Sequence, residues 1–428
     1  MAVTTLEGDV ATLTSVWRRL GASGTADEQV AQLLKIGLDP FLDAFSRRHL
    51  GAAGTAQGTK LVLGKNGEGK THLLYCFREL ALREGHAVAM LDPKTATVGD
   101  SPLGFAQEVL RSLETSEVAD LADGGMKIQA LLRAALDRKR NATLSAGLNP
   151  DVILPRWCEA MRDRNLQPFG LGDALADGLK AALEDDSQRL REAAAEVTFE
   201  NRRYSRRDAD REGSRLLQSV PQLVRALEFR PLVILLDEAE TAVEHRGHAR
   251  RLEFLKFLRF LNDHVAGMAS DGTQALVVIA CTDELWPQKF QEYAALHSRL
   301  ADPGCDSIGD RTGLEPRALA RKNKVWVQET FRGELADYEA LGHALLDLAD
   351  RVYPDVRRQI QDSNVSRFAA VASSNALRKQ VKRTFIKALC SFVEAQVEDD
   401  DQRVASDEQV AAVFATAARA ILDHDEAL

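Results

Sequence analysis

The sequence predicts an α/β fold: a mostly parallel sheet flanked by helices, with a large helical insertion and an all-helical C-terminal module. Three observations predict it. Wholly apolar runs at 61–63, 87–91, 232–236 and 275–281 read as buried strands, because a strand covered on both faces is apolar at every position. Longer stretches with apolar residues at helical spacing lie between them, the alternation of a parallel sheet joined by helical crossovers. From Glu334 onward only helical spacing remains. The chain accordingly divides into an N-terminal helical segment 1–49, an α/β core 50–330 that holds the insertion at 100–215, and a helical C-terminal domain 331–428.

At 428 residues, 45% hydrophobic and 28% charged, the chain is an ordinary globular one, long enough for two or three domains. A formal net charge of -9 argues against a surface that binds nucleic acid throughout, though it leaves room for a local basic patch. The cysteines at 76, 158, 281, 305 and 390 are odd in number and lack metal-ligand spacing, which predicts free thiols in a reducing compartment. Met1 to Val10 lacks the basic-then-apolar pattern of a signal peptide. No apolar run approaches bilayer length. These features predict a cytoplasmic protein with no membrane partner.

Taken in order, Leu6, Val10, Leu13, Val16 and Trp17 predict a helix that ends at a Gly-Ala-Ser-Gly break. A second helical stretch, 26–49, is interrupted at Gly37 and Pro40, and a small-residue linker fills 51–58. The segment Lys60-Leu61-Val62-Leu63-Gly64-Lys65-Asn66-Gly67-Glu68-Gly69-Lys70-Thr71 then matches G-x-x-x-x-G-K-[ST] at every fixed position. Gly64, Gly67 and Gly69 allow backbone conformations and close approaches that a side chain would forbid. Their amides, and those of Asn66 and Glu68, would cradle phosphates at the positive end of the following helix. Lys70 would reach the β- and γ-phosphates and the Thr71 hydroxyl would bind Mg²⁺. Leu73, Leu74, Phe77, Leu80 and Ala81 continue that helix, with His72 beside the loop.

Ala87–Leu91 predicts a second strand, ending in Asp92. Residues 100–200 read as helical, with a single strand signal at Val152-Ile153-Leu154. Residues 201–215 carry Arg202, Arg203, Arg206, Arg207, Arg211 and Arg215. With Tyr204 as a stacking group they would suit DNA or a partner surface. Because Asp208, Asp210 and Glu212 interleave, the same text also reads as a solvated face. The run 232–236 delivers Asp237 and Glu238 to the carboxyl end of a buried strand, where ligands of parallel sheets sit. Adjacent buried acids are costly without a cation, so Asp237 is expected on Mg²⁺ and Glu238 on an attacking water. His245 and His248 lack any further ligand pattern and read as a loop. The next helix is expected to bury Leu252, Leu255, Phe257, Leu258 and Leu261. The run 275–281 ends in Thr282 and Asp283, beside the acids and able to sense a terminal phosphate. Lys324–Gln328 predicts a fifth strand. Helical spacing follows over Glu334–Val352 and Asn364–Val397. There Leu377, Val381, Phe385 and Leu389 face inward and Arg378, Lys379, Lys382 and Arg383 outward.

A phosphate loop, a strand ending in Asp-Glu, a strand ending in Thr-Asp, the text His297-Ser298-Arg299-Leu300 and a helical C-terminal module together resemble the AAA+ P-loop ATPases of the initiator-like branch. The stretches "GKNGEGKTHLL", "ALREGHAVAMLD", "VILLDEAE" and "ALVVIACTDELW", with "KIGLDPFLDAF" upstream, are most similar to the ATP-binding protein of BREX-type bacteriophage defence systems. This resemblance implies Lys70 and Thr71 as Walker A, Asp237 and Glu238 as Walker B, and Thr282 or Asp283 as sensor 1. It also implies Arg299 as an arginine finger reaching a neighbouring subunit and Arg378 as the sensor 2 arginine of a lid. It implies ATP and Mg²⁺ as cofactors, self-association, and other defence proteins as partners. DNA contact would run through 202–215 or the lid face 378–383. The expected activity is ATP hydrolysis by a motor or switch; the alternative is a nucleotide-gated scaffold with little turnover. The segment between Lys70 and Asp237 exceeds what a compact core needs, hence the insertion. An ABC-type reading fails because the nearest signature-like text, Leu144-Ser145-Ala146-Gly147, lies far upstream and lacks the second glycine.

Overall fold

The computed structural model describes residues 10–24, 34, 35, 38–51, 56–91, 101–118, 124–168, 170–200, 205–241, 247–267, 275–302, 304, 307, 314–375, 380–400 and 402–426. Its centre is a six-stranded sheet of β1 (Gly58–Leu63), β2 (His86–Leu91), β3 (Leu113–Glu114), β4 (Arg230–Leu236), β5 (Leu276–Cys281) and β6 (Lys324–Trp326). The spatial order is β3-β2-β4-β5-β1-β6. Every neighbouring pair is parallel except β2 and β3. Leu63 lies opposite Cys281, and Leu236 opposite both Leu91 and Ile279. Strands β1, β4 and β5 thus end at one edge, where the segments after them meet.

Alternate residues of the apolar strands serve opposite faces, as the period of two requires. Leu61, Leu63, Ala87, Ala89, Ile234, Leu236, Val277 and Ile279 enter one core cluster. Val62, Val88, Val233, Leu235, Val278 and Ala280 enter another. Helices α1 (Val10–Ser23) and α2 (Asp39–Phe45) precede the sheet, and α3 (Lys70–Arg83) joins β1 to β2. The β1–β2 crossover α3 and helix α2 cover the second face through Leu73, Leu74, Phe77, Phe41 and Phe45.

The first face is covered by α4 (Pro102–Ser112) and, much later, α9 (Arg206–Ala226), with α5 (Gly124–Ser145), α6 (Pro150–Glu159), α7 (Leu171–Leu183) and α8 (Ser187–Val197) packed beyond them. The insertion is therefore continuous with the core of the sheet. Downstream, α10 (His248–Phe260) and α11 (Ala294–Leu300) complete this layer. Four helices, α12 (Leu335–Val352), α13 (Arg358–Ser374), α14 (Val381–Glu398) and α15 (Asp407–Glu426), enclose a separate core.

Several expectations are corrected. Val152–Leu154 lies inside α6, not in a strand. Asn149 caps that helix by accepting from the Asp151 amide at 2.9 Å, and Pro150 occupies its first turn. That start signal outweighs the β-branched pair. The strand β3 was not legible because two residues carry no period. β6 stops at Trp326, and Gln328 lies in a 3₁₀ turn. The helical run over 364–397 is broken between α13 and α14. In α10 the buried residues are Phe254, Leu255 and Leu258, while Leu252 and Phe257 are half-buried. Among the described residues, segment 1–49 has no core of its own. Leu13, Val16, Trp17 and Leu20 of α1 pack among Leu345, Phe385 and Leu389 of the C-terminal helices, whereas α2 packs on the sheet.

Candidate functional site

The glycine-rich segment 64–69 connects β1 to α3. Gly67 and Gly69 have φ of 79° and 107°, conformations that L side chains rarely adopt. Gly69 is the residue from which α3 starts. Gly64 keeps an ordinary φ, and its requirement is space: a Cβ there would stand 2.9 Å from Glu68 Oε2 and 3.1 Å from Val327 Cγ2. Glu68 braces the turn, accepting from the Lys65 amide at 2.7 Å and from Gln328 Nε2 at 2.8 Å.

Lys70 is 7% exposed and folds back over the loop. Its ammonium donates to Gly64 O at 3.1 Å, Lys65 O at 3.4 Å and Asn66 Oδ1 at 3.4 Å. Glu240 Oε1 lies 3.5 Å from the same nitrogen. The Thr71 side chain lies near enough to the Asp237 carboxyl to favour its ionised form. The loop that starts α3 and the acids that follow β4 therefore meet. Strand β5 ties them together from between: Gly64 donates to Cys281 O at 3.3 Å and Ala239 donates to Ala280 O at 3.0 Å.

Burial lifts the Asp237 carboxyl above its ordinary range, and the Thr71 hydroxyl, the Glu238 amide and Lys70 oppose that lift. Burial does the same to Glu240, with Lys70 the main opposing group. Two buried acids with raised pKa values form a site that gains from a cation. Hydroxyl and carboxylate oxygens are also donors that suit Mg²⁺, which otherwise keeps waters and phosphates. Thr71 and Asp237 fit that ion. Glu238 has a φ of 46°, and its amide donates to Asp237 Oδ1 at 2.9 Å. Its carbonyl accepts from Thr241 Oγ1 at 2.9 Å. A non-glycine residue held in that region at a sheet edge is the kind of strain found at functional sites. Thr282 and Asp283 follow β5 directly and are half-buried at this same edge.

The C-terminal helices reach the loop. A Cβ on Gly67 would meet Gln380 Cγ at 2.9 Å, and Gln380 itself has a φ of 61° at the start of α14. Lys382 Nζ sits over the Phe331 ring at 4.3 Å and 3.5 Å from where a Cβ of Gly69 would stand. Burial pushes its ammonium down to about 8. His72 is buried with Nε2 3.8 Å from Cys76 Sγ. Burial, then Lys382, pushes its pKa down to about 3.

Other expected residues are placed differently. Arg378, like Lys379, lies outside the described residues. Arg299 is bound within its own chain, donating to Asp263 Oδ1 and Ala295 O at 2.5 Å. Of the arginine-rich segment, Arg202, Arg203 and Tyr204 lie outside the described residues, as does His245. Arg211 pairs with Asp208 at 3.0 Å and Glu212 at 2.7 Å, and Arg215 with Glu212 at 3.3 Å. Among the described residues, no helix is long and apolar enough to cross a membrane.

Sequence reasoning missed Glu240, Gln328, Gln380 and the contact of Lys382 with the loop. Glu240 had a signal, a third acid just beyond a buried strand. The others had none, because nothing local marks a residue that meets the loop from a distant helix or turn.

No curated protein matches the chain. Residues 208–410, which hold the acidic strand and most of the C-terminal helices but not the phosphate loop, match the family described as BREX system ATP-binding protein BrxC/D. By that match this protein is close to the BREX ATP-binding proteins, the group its sequence resembles.

Proposed function

We propose that this protein is a Mg·ATP-binding and hydrolysing ATPase of the AAA+ type, a cytoplasmic motor or switch in a multi-protein, DNA-directed phage-defence complex. The observation that supports the reading is the convergence of Lys70 and Thr71, at the start of α3, on the acids that follow β4, with Glu240 Oε1 3.5 Å from the Lys70 ammonium. It joins a phosphate-binding loop to the two acids that metal-assisted hydrolysis needs.

Phosphoryl transfer asks the protein mainly to position groups and neutralise charge. Lys70 would bind the β- and γ-phosphate oxygens, and the amides of Gly67 and Gly69 the phosphates nearer the base. Glu238 would orient the attacking water, while Thr282 and Asp283 would sense the terminal phosphate from β5. Mg²⁺, held by Thr71 and Asp237, would supply charge neutralisation across the phosphate oxygens. The helices after 331 would act as the lid, with Arg378 on the nucleotide and Gln380 and Lys382 already against the loop. Arg299 would reach a neighbouring copy, a contribution worth roughly 10³–10⁵ in rate where such fingers operate. Other defence proteins would be partners, and segment 202–215 or the lid face 378–383 the surface toward DNA.

The expected outcome for Glu238→Gln is retained ATP binding with turnover lowered by about 10²–10⁴, the usual worth of a positioned acid–base group. Phosphate release at steady state and binding of labelled ATP measure the two. Unchanged turnover would remove Glu238 from this role.

A second reading is a nucleotide-gated scaffold with little turnover. The pairing of Arg299 with Asp263 favours it, because the chain occupies its own finger. Turnover per chain that stays near background as protein concentration rises, with or without DNA, would select the scaffold.

A further inference from the structure

We propose that Glu240 is a built-in competitor of the nucleotide: its carboxylate and a ligand phosphate contend for the same Lys70 ammonium, so Glu240 sets the affinity of the loop. The inference rests on the phosphate-loop reading above and adds a residue to it.

An ammonium has three protons to donate. Lys70 already has Gly64 O, Lys65 O and Asn66 Oδ1 within 3.1–3.4 Å, and Glu240 Oε1 at 3.5 Å. It cannot keep all of these and also serve β- and γ-phosphate oxygens. The neutral acceptors belong to the loop that forms the cradle, so the group that must yield is Glu240. Its carboxylate is poorly held otherwise: it is 7% exposed, and Oε2 is buried with no hydrogen-bond partner. A buried carboxylate satisfied on one oxygen alone is costly. It also faces Asp237 and Glu238, whose charges oppose its own, as they would oppose an arriving phosphate. Removing one of these negative charges therefore favours the ligand twice: Lys70 is released, and the pocket repels phosphate less.

The test is calorimetric titration of the full-length protein with pyrophosphate, and with ATP, for wild type, Glu240→Gln, Glu240→Asp, Lys70→Ala and the Lys70→Ala, Glu240→Gln double variant. Glu240→Gln is expected to bind both ligands on the order of tenfold tighter, the worth of one charge-assisted contact. Glu240→Asp retracts the charge by one methylene and is expected to shift affinity the same way by a smaller factor, which guards against misfolding of the first variant. Most of the gain should vanish when Lys70 is absent, so that the double variant exceeds Lys70→Ala only by the smaller relief of repulsion. Equal or weaker binding by both Glu240 variants, with Lys70→Ala still defective, would overturn the competitor role and leave the loop assignment standing. Wild-type affinity in Lys70→Ala would overturn both.

Discussion

Gly64, Gly67 and Gly69 look equivalent in the motif but are needed for different reasons. Gly64 needs room beside Glu68 and Val327; Gly67 and Gly69 need left-handed φ. Gly67 also needs room, since Gln380 rests on it through Cγ, Cβ and Cα rather than through a yielding side-chain end. Gly67→Ala is therefore expected to cost about 1–2 kcal/mol from φ alone and to lift the start of α14 off the loop. Denaturant unfolding would show the first effect. The second appears as weakened ATP binding that Gln380→Gly partly restores; a loss that Gln380→Gly does not touch would mean the contact is incidental. Glu238 carries a similar backbone cost, of order 1 kcal/mol or more. It is sustained by hydrogen bonds on both sides of the residue, from Thr241 Oγ1 to its carbonyl and from its amide to Asp237.

Helix α3 does two jobs along one axis. Its first residues are Lys70 and Thr71; further along, Arg78 holds Glu114 of β3. Arg78 Nη2 donates to Glu114 Oε2 at 2.9 Å, its Nε donates to Oε1, and Lys127 of α5 approaches Oε2 at 3.4 Å. Arg78 and Glu114 are both about 4% exposed at their side chains. This network explains why so short a strand as β3 is ordered: an edge of two residues has little ladder to hold it. Glu114→Ala would leave buried Arg78 without its bidentate partner but still 3.3 Å from Glu79 Oε1, at a cost of up to about 3–5 kcal/mol. By contrast, breaking the exposed pair Arg111–Glu200 should cost at most about 1 kcal/mol. Urea midpoints of the two variants compare them directly, and equal small shifts would show that Glu79 suffices for Arg78.

At the scale of the molecule, the sheet and the C-terminal helices meet at the glycine-rich loop 64–69. α1 belongs to the C-terminal helices, where Trp17 meets Tyr353 edge-on at 6.1 Å and Lys387 donates to Ala22 O. α1 thus shares one helical unit with α12–α15, and the strands of the sheet lie between them in sequence. The buried histidines give the whole fold a pH signature. Burial pushes His49 down to about 4 and His72 to about 3, and it lowers His86 as well. Folded, these rings stay neutral where the unfolded chain takes up protons below about 6.5, so stability is lost as pH falls from about 6.5 toward 4. Asp237 and Glu240 act in the opposite sense, because their raised pKa values favour the folded state on acidification. The urea midpoint is expected to fall over that window, and to fall less steeply in His49→Gln. A midpoint that is flat from pH 7 to pH 4 would show the carboxyl groups cancelling the histidines.

What the sequence alone determined is local. The order of apolar runs specified the parallel sheet, the G-x-x-x-x-G-K-T text specified a left-handed turn opening a helix, and Asp237-Glu238 was placed at a strand end. Each depends on a period or on a conformation that a few adjacent residues dictate. The β-branched Val152-Ile153 misled, because the helix start at Asn149-Pro150 outweighs them. Tertiary structure decided the rest: that β5 lies between β1 and β4, that Lys70 faces Glu240, that Asp263 engages Arg299 and that Gln380 rests on Gly67. These pairs join residues far apart along the chain. Their partners are chosen by how sheet and helices close on one another, and no spacing along the sequence records that closure.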